Sequence, residues 1–349
     1  MHSKLSGEVR FSHAHVMGGS GHGKTQLLQT LIYRDLISPA RPSVIVIDSQ
    51  GDLINTISHL SLFDPGMERS LADRFLLIDP ADTEHPPAIN LFDANLDRIK
   101  HYGPADRERM LAGTIELYEY FFSALLGAGL SQKQTLIFRY LAHLMLVIPG
   151  ANIHTLRELL ETPDAFQGEI AKLDGTARLF FERQFFDKSF DDTRLQVVRR
   201  LWGVLSNPTF ERIFSARASK IDFFKAMNAG RIILINTAKD LLKQEGSGIF
   251  GRFFIAMIAQ AAMERALVPR EQRKPTYVYI DEAQDYFDDT IDHLLEQVRK
   301  YRVGITLAHQ TLAQLTPKLK ASLMGQHGDE ADGRIIGYRC CRHGEGDGC

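Results

Sequence analysis

The chain has 349 residues, 44% of them hydrophobic, and its 41 Lys and Arg nearly balance 43 Asp and Glu, for a formal net charge of −2. This length predicts one large α/β domain with an insertion, or two domains, with a core that needs no disulfides. The charge excludes a globally basic, histone-like protein but leaves room for a local basic surface. All three cysteines lie within the last ten residues, which is typical of a reducing, cytoplasmic compartment.

The first predicted strand, over 9–17, leads into a phosphate-binding pattern, and a predicted helix over 26–36 follows. The pattern is G-x-x-x-x-G-K-[ST], the P-loop, and it is matched at every fixed position. The matching residues are Gly18, Gly19, Ser20, Gly21, His22, Gly23, Lys24 and Thr25. Glycines let successive N–H groups surround a polyphosphate, and the helix N-terminus adds its positive end. Lys24 would contact the β- and γ-phosphates, and the Thr25 hydroxyl would bind Mg²⁺. The alternative is an ordinary glycine-rich turn before a helix.

Five short apolar runs further along the chain predict buried parallel strands. Each run is almost continuously apolar and ends in a polar residue, as in a sheet covered on both faces. The runs cover 43–49, 74–79, 231–236, 277–281 and 304–309. Helical patterns follow several of them, over 54–62, 249–267, 289–301 and 311–324. This alternation predicts a doubly wound α/β sheet that binds its ligand at the carboxyl ends of the strands.

The turn after the 43–49 run places Gly51 between two carboxylates, Asp48 and Asp52. Glycine permits a tight turn at this point. The carboxylates could contact a nucleotide, a neighbouring subunit or DNA, and equally they could cap the next helix. The sequence leaves these alternatives open.

The segment 104–228 shows helical periodicity and no comparable strand pattern. Ser131 can cap a helix in which Ile137, Leu141 and Leu144 share one face. We interpret 104–228 as an all-α insertion in a nucleotide-binding core formed by 1–103 and 229–325. Residues 326–349 show neither strand nor helical periodicity, and we expect them to be disordered. The apolar segments 136–148 and 249–263 are too short or are interrupted by polar residues, so we expect no integral membrane segment.

Two acidic residues at the end of the 277–281 strand predict the second half of an active site. Asp281 could hold Mg²⁺ through its water shell, and Glu282 could deprotonate the water that attacks a γ-phosphate. Because kinases acting on small molecules rarely need such a glutamate, hydrolysis is favoured. Gln310 would face the γ-phosphate if its strand neighbours that of Asp281. The alternatives are a solvated acidic pair and a polar strand end.

Together these segments resemble the HerA/FtsK superfamily of P-loop motor ATPases, and within it the type IV secretion coupling proteins and their soluble HerA-like relatives. The similarity covers the P-loop, 47–53, 75–92, 231–242, 248–266, the YIDEAQDY run and the LAHQ strand. It implies a RecA-like core with an extra strand between the P-loop strand and the acidic strand. It also implies hydrolysis of ATP with Mg²⁺ by a usually hexameric ring that translocates DNA through its pore, in conjugation or secretion.

In rings of this kind an arginine from the next subunit completes each active site, and Arg265 and Arg252 are candidates for that role.

The sequence departs from the family pattern in two places. Only 17 residues precede Gly18, so we expect the membrane anchor of coupling proteins to be absent. The family's sheet also continues past the glutamine strand, whereas 325–349 shows no match. We therefore expect the last strand to be missing, as in a truncated or frameshifted reading frame.

Basic side chains that could contact DNA are Arg194, Arg199, Arg200, Arg299, Lys300, Arg302, Lys318 and Lys320. Ordinary solvated helix faces are the alternative. Three functions follow from the sequence: a DNA-translocating ATPase of a mobile element or secretion system, a related ATPase that assists protein secretion or assembly without DNA, and a non-catalytic ATP-binding remnant.

Overall fold

A computed structural model describes residues 9–12, 14–19, 21–93, 95–126, 131–287, 297–310 and 335–337. The chain divides into two compact units. One comprises Met1–Leu77, Met227–Asn236 and Arg270–Cys349, and the other comprises Ile78–Ala226 and Thr237–Pro269. The sequence assigns 78–103 and 237–269 to the core, whereas in the structure both segments group with the second, largely helical unit. The division into a nucleotide-binding core and an insertion stays a prediction.

The strands form one sheet. They are β1 Ala14–Met17, β2 Ser43–Asp48, β3 Phe75–Ile78, β4 Ile232–Asn236, β5 Thr276–Ile280, β6 Val303–His309 and β7 Ile335–Gly337. Their order is β3-β4-β2-β5-β6-β1-β7, and β2 pairs in parallel with β4 and β5, β6 with β5 and β1, and β1 with β7. The expected mostly parallel α/β sheet is confirmed. The extra strand is also present, because β6 separates the P-loop strand β1 from the acidic strand β5.

The predicted strand over 9–17 forms only in its second half. Val9–Ser12 is a 3-10 helix instead. Arg10 forms an ion pair with Asp35, donates to the Tyr279 hydroxyl at 2.8 Å and lies 3.5 Å above the centre of the Tyr277 ring. These side-chain contacts anchor the 3-10 helix to Asp35 and to the strand β5.

The α-helix α1 Lys24–Leu36 follows the P-loop and packs on the sheet. Leu28, Ile32 and Leu36, spaced four residues apart, are buried in a cluster that includes Val16 and Val46. This spacing puts them on one face of the helix. The predicted helix over 26–36 is confirmed, and the one predicted over 54–62 is the shorter α2 Asp52–Ser58.

The remaining α-helices are α3 Leu96–Ile99, α4 Pro104–Leu126, α5 Gln132–Val147, α6 Ile153–Glu161, α7 Gln167–Ile170, α8 Gly175–Phe180, α9 Asp191–Leu205, α10 Pro208–Phe214, α11 Phe223–Ala229 and α12 Lys239–Glu264. Ser131 caps α5 in a capping box with Gln134, as predicted. Aromatic contacts join α4 to α5 and to α12, with Phe122 stacked 4.6 Å from Phe138. The helix predicted over 311–324, and most of that over 289–301, lie outside the described residues.

Helix α12 starts ten residues before its predicted start at 249, with a kink at Lys243. Among the described residues, the stretch Lys239–Leu267 is the one segment long and apolar enough to cross a membrane by length and composition. Of its most apolar window, 72% is buried within the protein, as in the core helix of a globular protein.

The segment predicted to be disordered, 326–349, contributes a strand. β7 pairs with the outer side of β1, with His15 opposite Ile335 and Met17 opposite Gly337. The expectation that no strand follows the glutamine strand is therefore wrong at these three residues. A three-residue strand is too short to produce a recognisable period, and its pairing satisfies backbone groups that β1 would otherwise expose.

Candidate functional site

The P-loop turns through two glycines in the left-handed region, Gly21 with φ 76° and Gly23 with φ 80°. Residues with a Cβ adopt this conformation only at a cost, so these positions favour glycine. The loop is fixed at both ends. The Gly18 amide donates to the His309 carbonyl at 3.3 Å, and the Leu27 amide donates to the Gly23 carbonyl at 3.0 Å. Ser20 lies outside the described residues.

The two halves of the predicted site adjoin each other. The Lys24 ammonium lies 2.8 Å from Glu282 Oε1 and 3.4 Å from Asp281 Oδ1, and only 7% of the lysine side chain is exposed. Lys24 is the first residue of α1, and the two acids follow β5, 258 positions later in the case of Glu282. Both elements present these residues at the same edge of the parallel sheet.

Glu282 is held by donors on all sides. Its carboxylate accepts hydrogen bonds from Lys24, from Gln284 and from Gln310, whose Nε2 lies 3.2 and 3.3 Å from the two oxygens. Burial is the largest influence on its pKa and acts to raise it, but the hydrogen bonds from Lys24, Gln284 and Gln310 and the lysine charge together lower the pKa. Glu282 is therefore ionised at neutral pH.

The backbone of Glu282 is itself unusual. Its φ of 47° and ψ of 47° put it in the left-handed region, and its amide donates to Asp281 Oδ1 at 2.9 Å. A non-glycine residue in this region costs energy, and such residues are enriched at functional sites. The turn that directs the carboxylate toward Lys24 depends on this conformation.

Asp281 is buried, and burial raises its pKa against the opposing charge of Lys24. Asp48 lies at the end of the neighbouring strand β2, where burial, with a contribution from the charge of Asp281, raises its pKa to about 6. Asp48 accepts hydrogen bonds from the amides of Gln50 at 3.0 Å and Leu53 at 3.1 Å. Of the roles that the sequence left open for Asp48, the structure shows the helix-capping one, at α2. Asp52 is exposed.

Sequence reasoning missed two residues of this site, Gln284 and His309. Gln284 lies two positions beyond Glu282, within the segment that supplies the acids. His309 precedes Gln310, is fully buried and packs its ring 5.5 Å from that of His15, and neither of its ring nitrogens has a hydrogen-bond partner among the described residues. Burial, followed by the charge of Lys24, lowers its pKa to about 4. No sequence pattern distinguishes a histidine of this kind from other strand residues.

A cavity of about 370 Å³ joins the two halves of the site. It is lined by Gly19, Gly21, Gly23, Lys24, Thr25, Gln26, Glu282 and Gln310. Its size lies within the range of small-molecule sites. No group of three or more His, Cys, Asp or Glu within the described ranges could hold a metal by itself. A cation here would share the oxygens of Thr25 and Asp281 with its ligand and with water, as Mg²⁺ commonly does.

The arginine predicted to act on a neighbouring subunit is not at the surface. Arg265 is fully buried within the helical unit, and Arg252 is partly buried. An arginine acting in trans needs an exposed guanidinium, which Arg265 does not present in this structure.

The predicted DNA contacts differ in exposure. Arg199, Arg200, Arg299 and Lys300 are exposed. Arg302 is partly buried, and Arg194 forms an ion pair with Asp191. Lys318 and Lys320 lie outside the described residues.

The glycine loop after β1, the acidic pair after β5 and the strand between them define a P-loop nucleoside triphosphatase fold. No protein-family model matches the chain, nor does any curated protein. Solved structures with this fold include the bacterial conjugative coupling protein TrwB in its unbound form, with a TM-score of 0.57 and 14% identity over 88% of this chain and 64% of that chain.

A second TrwB structure, the plasmid coupling protein in complex with ADP and Mg²⁺, has a TM-score of 0.58 and 15% identity over 88% of this chain and 66% of that one. VirB4 of Thermoanaerobacter pseudethanolicus has a TM-score of 0.57 and 12% identity over 88% of this chain and 72% of that one. This chain spans less than two thirds of the TrwB chain. At these identities the likeness shows the fold alone. It confirms the RecA-like core, which is the fold that the resemblance to the HerA/FtsK superfamily implies.

Proposed function

We propose that this chain is an ATPase of the coupling-protein and HerA-like class, which hydrolyses ATP with Mg²⁺ and translocates DNA. One observation carries the ATPase part: Lys24 Nζ and Glu282 Oε1 lie 2.8 Å apart at one cavity. A phosphate-binding lysine and an ionised carboxylate are the pair that hydrolysis of a γ-phosphate needs. The TrwB complexes with ADP and Mg²⁺ and with non-hydrolysable analogues of both ATP and GTP support a purine nucleotide with Mg²⁺, and ATP is the one that we propose.

In this proposal the loop Gly18–Thr25 binds the phosphates through its backbone amides, and Lys24 contacts the β- and γ-phosphates. Thr25 and Asp281 supply the oxygens that would hold Mg²⁺, which neutralises phosphate charge when bound. Since a nearby cation favours the charged form of a carboxyl, it would offset the effect of burial on Asp281.

Glu282 is the proposed general base. While Lys24, Gln284 and Gln310 all donate to its carboxylate, its pKa is low and it is a weak base. A γ-phosphate competes for Lys24, and loss of that hydrogen bond raises the pKa of Glu282 toward its usual value. The residue therefore becomes a stronger base when substrate is present. Gln310, which touches the same carboxylate and lines the cavity, is placed to respond to the same phosphate.

The DNA part of the proposal rests on the class resemblance and on the fold shared with TrwB, a conjugative coupling protein. We place the chain in the cytoplasm as a homo-oligomer, a hexameric ring that works with secretion or mobile-element proteins. The alternatives are an ATPase that assists protein secretion or assembly without DNA and a non-catalytic ATP-binding remnant.

ATP turnover tests the proposal. It is measured with Mg²⁺ and with EDTA, in the presence and absence of single- and double-stranded DNA, on protein of known oligomeric state. The expected result is Mg²⁺-dependent hydrolysis that DNA stimulates. Turnover indifferent to DNA would point to the protein-directed alternative, and ATP binding without turnover would identify the remnant.

A further inference from the structure

The amino ends of five neighbouring strands carry an unusual run of positive charge. In the sheet order β3, β4, β2, β5 and β6, every strand is preceded within four residues by Lys or Arg. We call this set the basic edge; it consists of Arg74, Arg231, Arg41, Arg273, Lys274, Arg299, Lys300 and Arg302. The same positions contain one carboxylate, Asp73. The nucleotide cavity lies at the opposite, carboxyl ends of these strands.

Arg74, which precedes the outermost strand β3, is the buried member of this edge. It is 5% exposed, and its guanidinium donates to two backbone carbonyls, Gly230 at 2.7 Å and Pro42 at 2.6 Å. Its third nitrogen, Nη1, is buried with no hydrogen-bond partner among the described residues. Burial and then the charge of Arg41 lower its pKa, with Asp73 as an opposing influence. Within the described part of the chain, the Nη1 donor of Arg74 therefore has no acceptor.

The segments that precede β2 and β5 pack closely around Gly230, whose carbonyl accepts the hydrogen bond from Arg74. Gly230 has a φ of 76°, and a Cβ there would lie 2.8 Å from the Arg41 carbonyl oxygen and 3.0 Å from the Lys274 ammonium. Lys274 Nζ also lies 3.4 Å from the Ala229 carbonyl. The glycine thus allows cationic residues from three strand ends to converge. Arg41 and Arg231 are exposed, and within the described ranges neither forms an ion pair with a carboxylate.

The edge contrasts with Arg10, which precedes β1. Arg10 is neutralised by Asp35 through a two-pronged ion pair. The fold therefore neutralises the partly buried Arg10 with a carboxylate, whereas Arg74 is bonded to backbone carbonyls. The charge of Arg74 adds to that of the exposed cations along the edge and strengthens a field that attracts anions.

We propose that the exposed cations of the basic edge, Arg231, Arg41, Arg299 and Lys300, bind the phosphate groups of a nucleic-acid strand; the inference rests on the proposed function. A single phosphate ion would occupy one point, whereas five strands at a spacing of about 4.8 Å extend the edge over about 19 Å. A polymer with phosphates at regular intervals matches that length.

The test compares two double variants that remove equal charge: Arg41→Gln/Arg231→Gln at the basic edge and, as a control away from every candidate DNA contact, Arg183→Gln/Lys188→Gln. All four side chains are exposed, so both variants should fold, which thermal unfolding checks. The affinity of the full chain for labelled single- and double-stranded DNA is measured from 50 to 300 mM salt, about the range in which phosphate contacts show their salt dependence.

The edge variant should reduce the magnitude of the slope of log affinity against log salt by about 1.4 for single strands or about 1.8 for duplex, and the control variant should keep the wild-type slope. Wild-type binding with an unchanged slope in the edge variant would overturn the inference and leave the proposed function intact. Equal losses in both variants would also overturn it, as an effect of net charge alone. If the wild type binds no DNA, the DNA part of the proposed function fails, and this inference fails with it.

Discussion

The two ends of the same parallel strands treat positive charge in opposite ways. At the carboxyl ends, Lys24 is buried between Asp281 and Glu282, within 3.4 and 2.8 Å of their oxygens. At the amino ends, Arg74 is equally buried but is bonded to backbone carbonyls. A cation paired inside the chain can exchange that partner for a substrate phosphate. Within the described residues Arg74 forms no ion pair, so its charge adds to that of the exposed cations around it. The two ends of the strands therefore differ in whether the chain itself neutralises its buried cation.

The largest effect is expected from Lys24→Ala. The lysine would donate charge-assisted hydrogen bonds to phosphate, worth about 1.5–3 kcal/mol, so its removal should weaken ATP binding about 10- to 100-fold and abolish turnover. Binding of a fluorescent ATP analogue and phosphate release measure the two effects. Lys225→Ala, at an exposed lysine, is the control. Normal binding by Lys24→Ala would remove the distinction between the two edges.

Glu282→Gln should separate binding from hydrolysis. The amide cannot accept the water proton, so turnover should fall by about 10²- to 10⁴-fold while ATP binding persists. The same two assays apply, with Glu68→Gln at an exposed position as control. Retained turnover would mean that Glu282 is a structural partner of Lys24 and no more.

His309, at the carboxyl ends of the strands, makes the free energy of unfolding depend on pH. Its pKa is lowered from 6.5 to about 4, so between these values the unfolded chain binds a proton that the folded chain does not. This contribution to stability is therefore lost as the pH falls through that window, by up to about 3 kcal/mol. Urea unfolding at pH 7 and pH 4.5 should show a smaller loss for His309→Leu than for the wild type.

Asp48 acts in the opposite direction within the same window. Its pKa is raised to about 6, so the folded state binds a proton first and gains stability as the pH falls. Because both proteins contain Asp48, the difference between wild type and His309→Leu isolates the histidine. Parallel losses in the two proteins would contradict the assignment.

Gln284→Ala and Gln310→Ala should have smaller effects. Each removes a donor that holds the Glu282 carboxylate in place, worth about 1 kcal/mol; we expect the loss of positioning to outweigh the gain in basicity, so turnover should fall about fivefold. Each should also raise the pKa of Glu282 and move the acid limb of the kcat/KM profile to higher pH. The control is Gln272→Ala, at an exposed glutamine. A fall in turnover with an unmoved acid limb would indicate a role other than tuning the carboxylate.

The smallest effect concerns the basic edge in the absence of any ligand. Since the charge of Arg41 opposes that of Arg74, Arg41→Gln should stabilise the folded chain by about 0.3 kcal/mol at low salt. Screening should remove the gain near 1 M salt. Urea unfolding at the two salt concentrations measures it, and a loss of stability at low salt would show that the cations do not repel one another.

Much of this protein could be predicted from local sequence patterns. The P-loop, six of the strands and the capped start of α5 each depend on residues a few positions apart, and periodicity and turn chemistry reveal such features. The acidic strand end and Gln310 were identified by the same means, although their roles stay predictions. The boundaries shifted by a few residues, and at 9–12 a strand gave way to a 3-10 helix.

What tertiary structure alone decided is which distant residues meet. The short sequence runs around Lys24 and Glu282 do not specify how far apart the two residues lie in space. That distance depends on the order of the strands in the sheet. The burial of Arg265, the pairing of β7 with β1, the isolation of His309 and the convergence on Gly230 likewise depend on packing between segments far apart in the chain. Sequence periodicity encodes which face of an element is apolar, whereas the environment of a charge depends on every element packed around it.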